Sequence, residues 1–173
     1  MLESYGYDFG DTSFDLLMQT RIHKVMIVCS NYDAFMLEED GRIDEQIFIE
    51  YVSLNLRYPP VFVQVDSAEE AFQRLEEEKI DLVITMWGKG DMDAFELSRQ
   101  IKREHKNIPI VVLTYFSREV SELIKKEDLS AIDYIFCWLG NANLLLAIIK
   151  LIEDKMNAEH DIIEIGVQTI ITL

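Results

Sequence analysis

Basic residues are scarce in this 173-residue chain: 16 Lys and Arg stand against 32 Asp and Glu, a net charge of −16. That balance argues against a nucleic-acid-binding surface, because a phosphate backbone needs a basic footprint and the few cations here do not cluster into one. Two cysteines are too few for a disulfide framework, and the cytoplasm is the expected compartment. No stretch approaches the ~20 apolar residues of a membrane span. The start, Met1-Leu2-Glu3-Ser4-Tyr5, carries neither a basic region nor an apolar signal core. Three histidines, His23, His105 and His160, lie scattered among charged neighbours and read as solvated surface. Repeats and low-complexity segments are absent.

What is present is ordinary globular material: 49% hydrophobic and 28% charged residues, enough length for one domain and some extension. The acidic surplus reads as a solvated surface, with docking of a basic partner as the sharper alternative.

From Arg21 onward, short β-branched runs alternate with amphipathic segments, the pattern of a parallel sheet covered by helices. The strands are expected at Lys24–Val28, Val61–Val65, Asp81–Thr85, Ile110–Thr114 and Tyr134–Cys137. Helices are expected at Asp44–Leu56, after Ser67, at Asp93–Glu104, around Val120, Leu123 and Ile124, and at Asn143–Lys155. Ser67-Ala68-Glu69-Glu70 has capping-box spacing, and Ala68, Ala71, Phe72 and Leu75 follow as a buried stripe. The fold class is α/β, a three-layer doubly wound five-stranded parallel sheet of order 2-1-3-4-5.

Three pieces are expected along the chain. Residues 1–23 form an N-terminal extension with a helix around Ser13–Thr20, 24–158 the main domain, and 159–173 a tail whose Val/Ile-rich run from Ile162 reads as a strand.

Three local patterns resemble the CheY-like response-regulator receiver family over about Lys24 to Lys155. They are Asp81-Leu82-Val83-Ile84 followed by Gly90-Asp91-Met92-Asp93-Ala94-Phe95-Glu96-Leu97, then Ile108-Pro109-Ile110-Val111-Val112-Leu113-Thr114, then Asp133-Tyr134-Ile135. In that family the chemistry sits at the C-terminal ends of the strands, where doubly wound sheets place their sites. The resemblance puts the Mg²⁺-holding acidic pair at Cys29 and Ser30, the phospho-accepting aspartate at Met86 and the lysine at Cys137. Only the hydroxyl residue, Thr114, is retained. The 28 residues from Met86 to Thr114 and the 23 from Thr114 to Cys137 suit this register. Trp138 stands where the family has a cis proline, so a trans peptide is expected.

The expectation is therefore a degenerate receiver: no catalytic residue, no metal, no cofactor, and a regulatory role in bacterial signalling that does not depend on phosphorylation. The alternatives are a phosphoryl-accepting receiver with a rearranged site and a thiol-based redox sensor using Cys29 and Cys137. Residues 31–44, an insert after the first strand, together with Met86 and the Cys137-Trp138-Leu139-Gly140 turn, resemble a narrower group. These are N-terminal pseudo-receivers of bacterial multidomain proteins that carry a second receiver and a pyruvate,phosphate dikinase-like, phosphoenolpyruvate-utilising region. On that resemblance, residues 167–173 are the severed first strand of the next receiver.

Other chemistries fit poorly. An EF-hand frame on Glu38–Asp44 puts Met36 and Ile47 at ligand positions, so a glycine turn before the next helix is expected instead. Two sulfurs without a nearby histidine do not make a zinc site. The loop after the first strand has no glycine to cradle a flavin phosphate. In the last helix, Leu144, Leu145, Leu146, Ile148, Ile149, Leu151 and Ile152 spread over an arc wider than a one-sided stripe of ~100°. Either an extension covers that helix or Leu145, Leu146 and Ile149 form an interface. The expected partners are other domains of a parent protein, another signalling protein, or a second copy of the chain.

Overall fold

A computed structural model describes residues 18–38, 41–56, 58–87, 93–115, 121, 125 and 128–163. Its strands are β1 (Lys24–Val28), β2 (Val61–Val65), β3 (Leu82–Trp87), β4 (Ile110–Thr114) and β5 (Tyr134–Cys137). The helices among the described residues are α1 (Asn31–Leu37), α2 (Ile43–Ser53), α3 (Ala68–Glu77), α4 (Ala94–Glu104) and α5 (Asn143–Ile163). All pairings are parallel, in the order β2-β1-β3-β4-β5. The doubly wound α/β architecture read from the sequence is the one observed.

The central strands are apolar on both sides because helices cover both faces. In β3, Leu82 to Met86 are all buried, as is every residue of β4. One layer gathers Met26, Val28, Val65, Val83 and Ile110 of the sheet with Ala71 and Leu75 of α3 and Leu97 and Ile101 of α4. Each such aliphatic side chain contributes roughly 1.5–3 kcal/mol by leaving water.

Local chemistry sets the helix starts. Ser67 Oγ accepts from the Glu70 N–H at 3.2 Å, as the capping spacing predicts, while the Glu70 carboxylate reaches back to the Asp66 N–H at 3.4 Å. Asp93 caps α4 through the N–H groups of Phe95 and Glu96. Gly41, with φ +123°, makes the expected turn before α2. Carboxylates also fix the foot of the sheet: Asp81 accepts from the N–H groups of His23 and Lys24, and Asp133 from the N–H of Ile110 and the Lys102 ammonium.

Several expectations change. Part of the insert after β1 is helical, forming α1. Helix α2 stops at Ser53 rather than Leu56, because Asn55 turns left-handed at φ +53°. Strand β3 runs on to Trp87, which puts Met86 within it. Met18, Gln19 and Thr20, assigned to a helix, are not helical. Helix α5 continues eight residues past Lys155, so Ile162 and Ile163, read as the start of a strand, are helical. Leu145, Leu146 and Ile149, read as an interface alternative, are buried within the chain, whereas Leu151 of the same arc is 37% exposed. The expectations for residues 13–17, for 90–92, for Val120, Leu123 and Ile124, and for 164–173 lie outside the described residues.

The chain divides into a compact unit of Ile22–Ile149 and a second formed by Met1–Arg21 with Lys150–Leu173. In the second unit the Asn157 carboxamide pairs with Thr20 as a backbone strand would: its Oδ1 accepts the Thr20 N–H at 2.8 Å and its Nδ2 donates to the Thr20 carbonyl at 2.8 Å. Glu153, buried, is held by Lys150 at 2.7 Å and Arg21 at 3.6 Å.

Candidate functional site

The C-terminal ends of the strands carry the residues singled out by the sequence. Register decides which of them meet. Thr114 of β4 is paired with Trp87 on one side and Cys137 on the other. Met86 is paired with Leu113, one step earlier. Successive residues of a strand point to opposite faces, so Thr114 and Cys137 share a row and Met86 belongs to the next. Val28 pairs with Thr85, which brings the following residues, Cys29 and Met86, to the rim side by side.

These positions are closed rather than open. Thr114 is fully buried, and Cys29 and Met86 nearly so. The Thr114 carbonyl accepts the Trp138 N–H at 2.7 Å, across a trans peptide as expected. Cys29 donates its N–H to the Val65 carbonyl at 3.1 Å, tying the exit of β1 to β2.

Past Cys29 the chain turns at once into α1. Ser30 is its N-cap: Oγ accepts the Asp33 N–H at 3.1 Å and donates its proton to Asp33 Oδ2 at 2.7 Å. The other oxygen, Asp33 Oδ1, accepts from the Tyr115 hydroxyl at 3.0 Å. Tyr115 follows Thr114 directly, so its side chain straps the end of β4 to α1. Its own carbonyl accepts from the Cys137 thiol at 3.5 Å. Neither Asp33 nor Tyr115 is among the five rim positions that the family resemblance picks out. The Ser30-x-x-Asp33 spacing was a usable signal for the first; for the second there was none, since its partner is 82 residues away.

Electrostatics keep the thiol quiet. Burial, reinforced by the carboxylates of Asp33, Glu38 and Asp66, pushes Cys29 up to about 12. The thiolate is the reactive form, so Cys29 is a small buried hydrophobe at neutral pH. Burial and the bond to Asp33 also raise Tyr115 above its usual range. Both cysteines are free. No cluster of three His, Cys, Asp or Glu able to hold a metal occurs among the described residues, and no described helix is long and apolar enough to cross a membrane.

A five-stranded parallel sheet of this order, with its rim at the strand exits, is the doubly wound α/β arrangement that receivers share with flavodoxin-like domains. The family model for the response regulator receiver domain matches residues 43–149. The chain belongs to that family. Solved structures agree on the fold. A receiver domain protein from Methanospirillum hungatei superposes with a TM-score of 0.57 at 15% identity, covering 80% of this chain and 98% of its own. The response regulator TrrA of Thermotoga maritima, in complex with Mg²⁺ and BeF, gives 0.52 at 19%, covering 75% and 98%. The phosphorylated cyanobacterial phytochrome response regulator RcpA gives 0.52 at 24%, covering 78% and 93%. No curated protein matches the chain.

Proposed function

We propose that this chain is a receiver-fold regulatory module that works through its surfaces and does not accept a phosphoryl group. The single observation that carries this reading is Met86: at the position the family resemblance gives to the acceptor aspartate lies a buried thioether, paired with Leu113. Phosphoryl transfer needs a carboxylate nucleophile and a cation over the equatorial oxygens. Cys137 at the lysine position supplies no cation.

Magnesium, which the family uses, does not fit the donor set. It is a hard ion that takes oxygen ligands in octahedral geometry, and Cys29, Met86 and Cys137 offer sulfur. The carboxylate of Asp33 is engaged on both oxygens, by Ser30 and by Tyr115.

The test is incubation of the chain with a small phosphodonor and Mg²⁺, followed by intact mass. The expected spectrum is unchanged. A stable gain of about 80 Da, one phosphoryl group, overturns the reading, and locating that gain on Asp33 would establish a rearranged acceptor.

A multidomain parent with a second receiver and a phosphoenolpyruvate-utilising region belongs to the same reading, its other domains being the natural partners. Sequencing the gene on either side of this segment tests it: a following receiver supports the parent, and an unrelated neighbour removes it.

A further inference from the structure

Strand β2 ends the sheet on one side, since the described strands run β2-β1-β3-β4-β5. Two bonds fix which of its backbone groups are in use. The Val61 N–H donates to the His23 carbonyl at 2.8 Å, and the Val65 carbonyl accepts the Cys29 N–H at 3.1 Å. Peptide groups alternate in direction along a strand, so Val61, Val63 and Val65 turn theirs toward β1. Those of Phe62 and Gln64 turn away from the sheet, and no described residue pairs with them. This outward row stops at both ends. Pro60 has no N–H to offer, and the Asp66 N–H is held by the Glu70 carboxylate at 3.4 Å.

Edge strands of soluble proteins are normally blunted by charge, an internal proline or a bulge. Strand β2 has none of these: it reads Val-Phe-Val-Gln-Val, and its register on β1 is unbroken over all five residues. Its flank is open too, with Gln64 exposed and Val61 58% exposed. The chain carries a net charge of −16, yet Tyr58 to Val65 contains no charged residue. Two copies can therefore meet along this edge without setting carboxylates against each other.

We infer that β2 pairs with β2 of a second copy, antiparallel about a two-fold axis at Val63, joining the two sheets edge to edge. In an antiparallel ladder, opposite residues alternate between pairs that exchange two hydrogen bonds and pairs that exchange none. Centred on Val63, Phe62 stands opposite the second copy's Gln64, and Gln64 opposite its Phe62. Every outward N–H and carbonyl is then matched. A centre one residue away sets the Gln64 carbonyl against Pro60, or the Phe62 carbonyl against the occupied Asp66 N–H. The chosen register also covers exposed Val61 with Val65, and puts Asp66 opposite Pro60, so no like charges face each other. A contact of this symmetry closes at two copies. It goes beyond the regulatory reading and stands whether or not the chain accepts a phosphoryl group.

Sedimentation velocity of the full chain from about 1 μM to about 1 mM reads the association. A reversible dimer is expected. Gln64→Pro removes an outward N–H and leaves the bonds to β1 alone, and should weaken the dimer at least about tenfold. Gln64→Lys, a charge on the edge, is the second variant should the proline unfold the chain. Register is read by air oxidation in a Cys137→Ser background. Val63→Cys places two thiols across the axis, with Cα atoms about 4.5 Å apart, and should cross-link the copies. Val61→Cys, about 13 Å from its own copy in this register, should not. A chain that stays monomeric throughout overturns the inference, as does a dimer indifferent to the Gln64 changes at unaltered melting temperature. Equal cross-linking by Val61→Cys overturns it as well. Loss of the dimer on deletion of residues 164–173, without cross-linking by Val63→Cys, overturns it in favour of that tail as the added strand.

Discussion

Tyr115 and Asp33 are joined by a hydrogen bond of 3.0 Å between the phenol and Oδ1, closing the rim of the sheet from β4 to α1. The bond uses up one carboxylate oxygen beside Cys29, and Ser30 uses the other. Tyr115→Phe keeps the ring and removes the donor. A loss of about 1–2 kcal/mol is expected, near the cost of a hydrogen bond to a charged group, measured by urea denaturation.

Alkaline pH exposes the raised thiol. Cys29 titrates near 12 in the folded chain against an ordinary value of 9.0. The folded state therefore holds its proton more tightly, and stability falls where the unfolded state has already lost it. This contribution is complete below pH 9 and drains away as pH rises toward 12. Tyr115, raised from 10.0, adds to the same decline. Melting temperature against pH should fall more gently above pH 9 in Cys29→Ala, and more gently still when Tyr115→Phe is added.

Thiol labelling follows from the same burial. Unfolded protein should react at both cysteines, and native protein at neutral pH should leave Cys29 untouched. Cys137, half-buried, is the residue expected to react. Rapid labelling of Cys29 in the native chain, located by peptide mass mapping, would revive a redox role for it.

An acid placed at position 86 should not by itself create a phosphoryl-accepting site. Met86→Asp places a carboxylate among buried apolar neighbours, with Cys137 unable to balance its charge. The expected outcome is destabilisation of about 1–3 kcal/mol, no rise in melting temperature with Mg²⁺, and no adduct from a phosphodonor.

In the second unit, Asn157→Ala strands the N–H and carbonyl of Thr20 together. A cost of about 1–3 kcal/mol is expected for leaving such groups unmatched. Protection of the Thr20 amide from hydrogen exchange should vanish in this variant.

The sheet was legible in the sequence because buried parallel strands are nearly pure Val, Ile and Leu, and Val25–Val28, Leu82–Ile84 and Ile110–Leu113 have no competing reading. Helix ends were less so: nothing local in α5 signals a stop at Lys155, and the helix continues because Asn157 and Asp161 find backbone partners at Thr20 and Met18. The five rim positions, Cys29, Ser30, Met86, Thr114 and Cys137, could be placed by spacing. Their pairing could not, since the register of β3 on β4, with Val83 opposite Ile110, decides that Trp87 rather than Met86 stands beside Thr114. The outward apolar residues of α2 were hidden too, because a helix with apolar residues on two sides reads the same whether its second side is covered or bare.

Asp81 and Asp133 each precede a strand and grip the first amides of its neighbour at the end of the sheet opposite the rim. Alignment of the strands is thereby pinned from below, by groups remote from every position the family uses for chemistry. Residues at the top can then be exchanged wholesale, acid for thiol or lysine for cysteine, without loosening the scaffold that carries them. The register of such a sheet does not depend on which side chains line its rim.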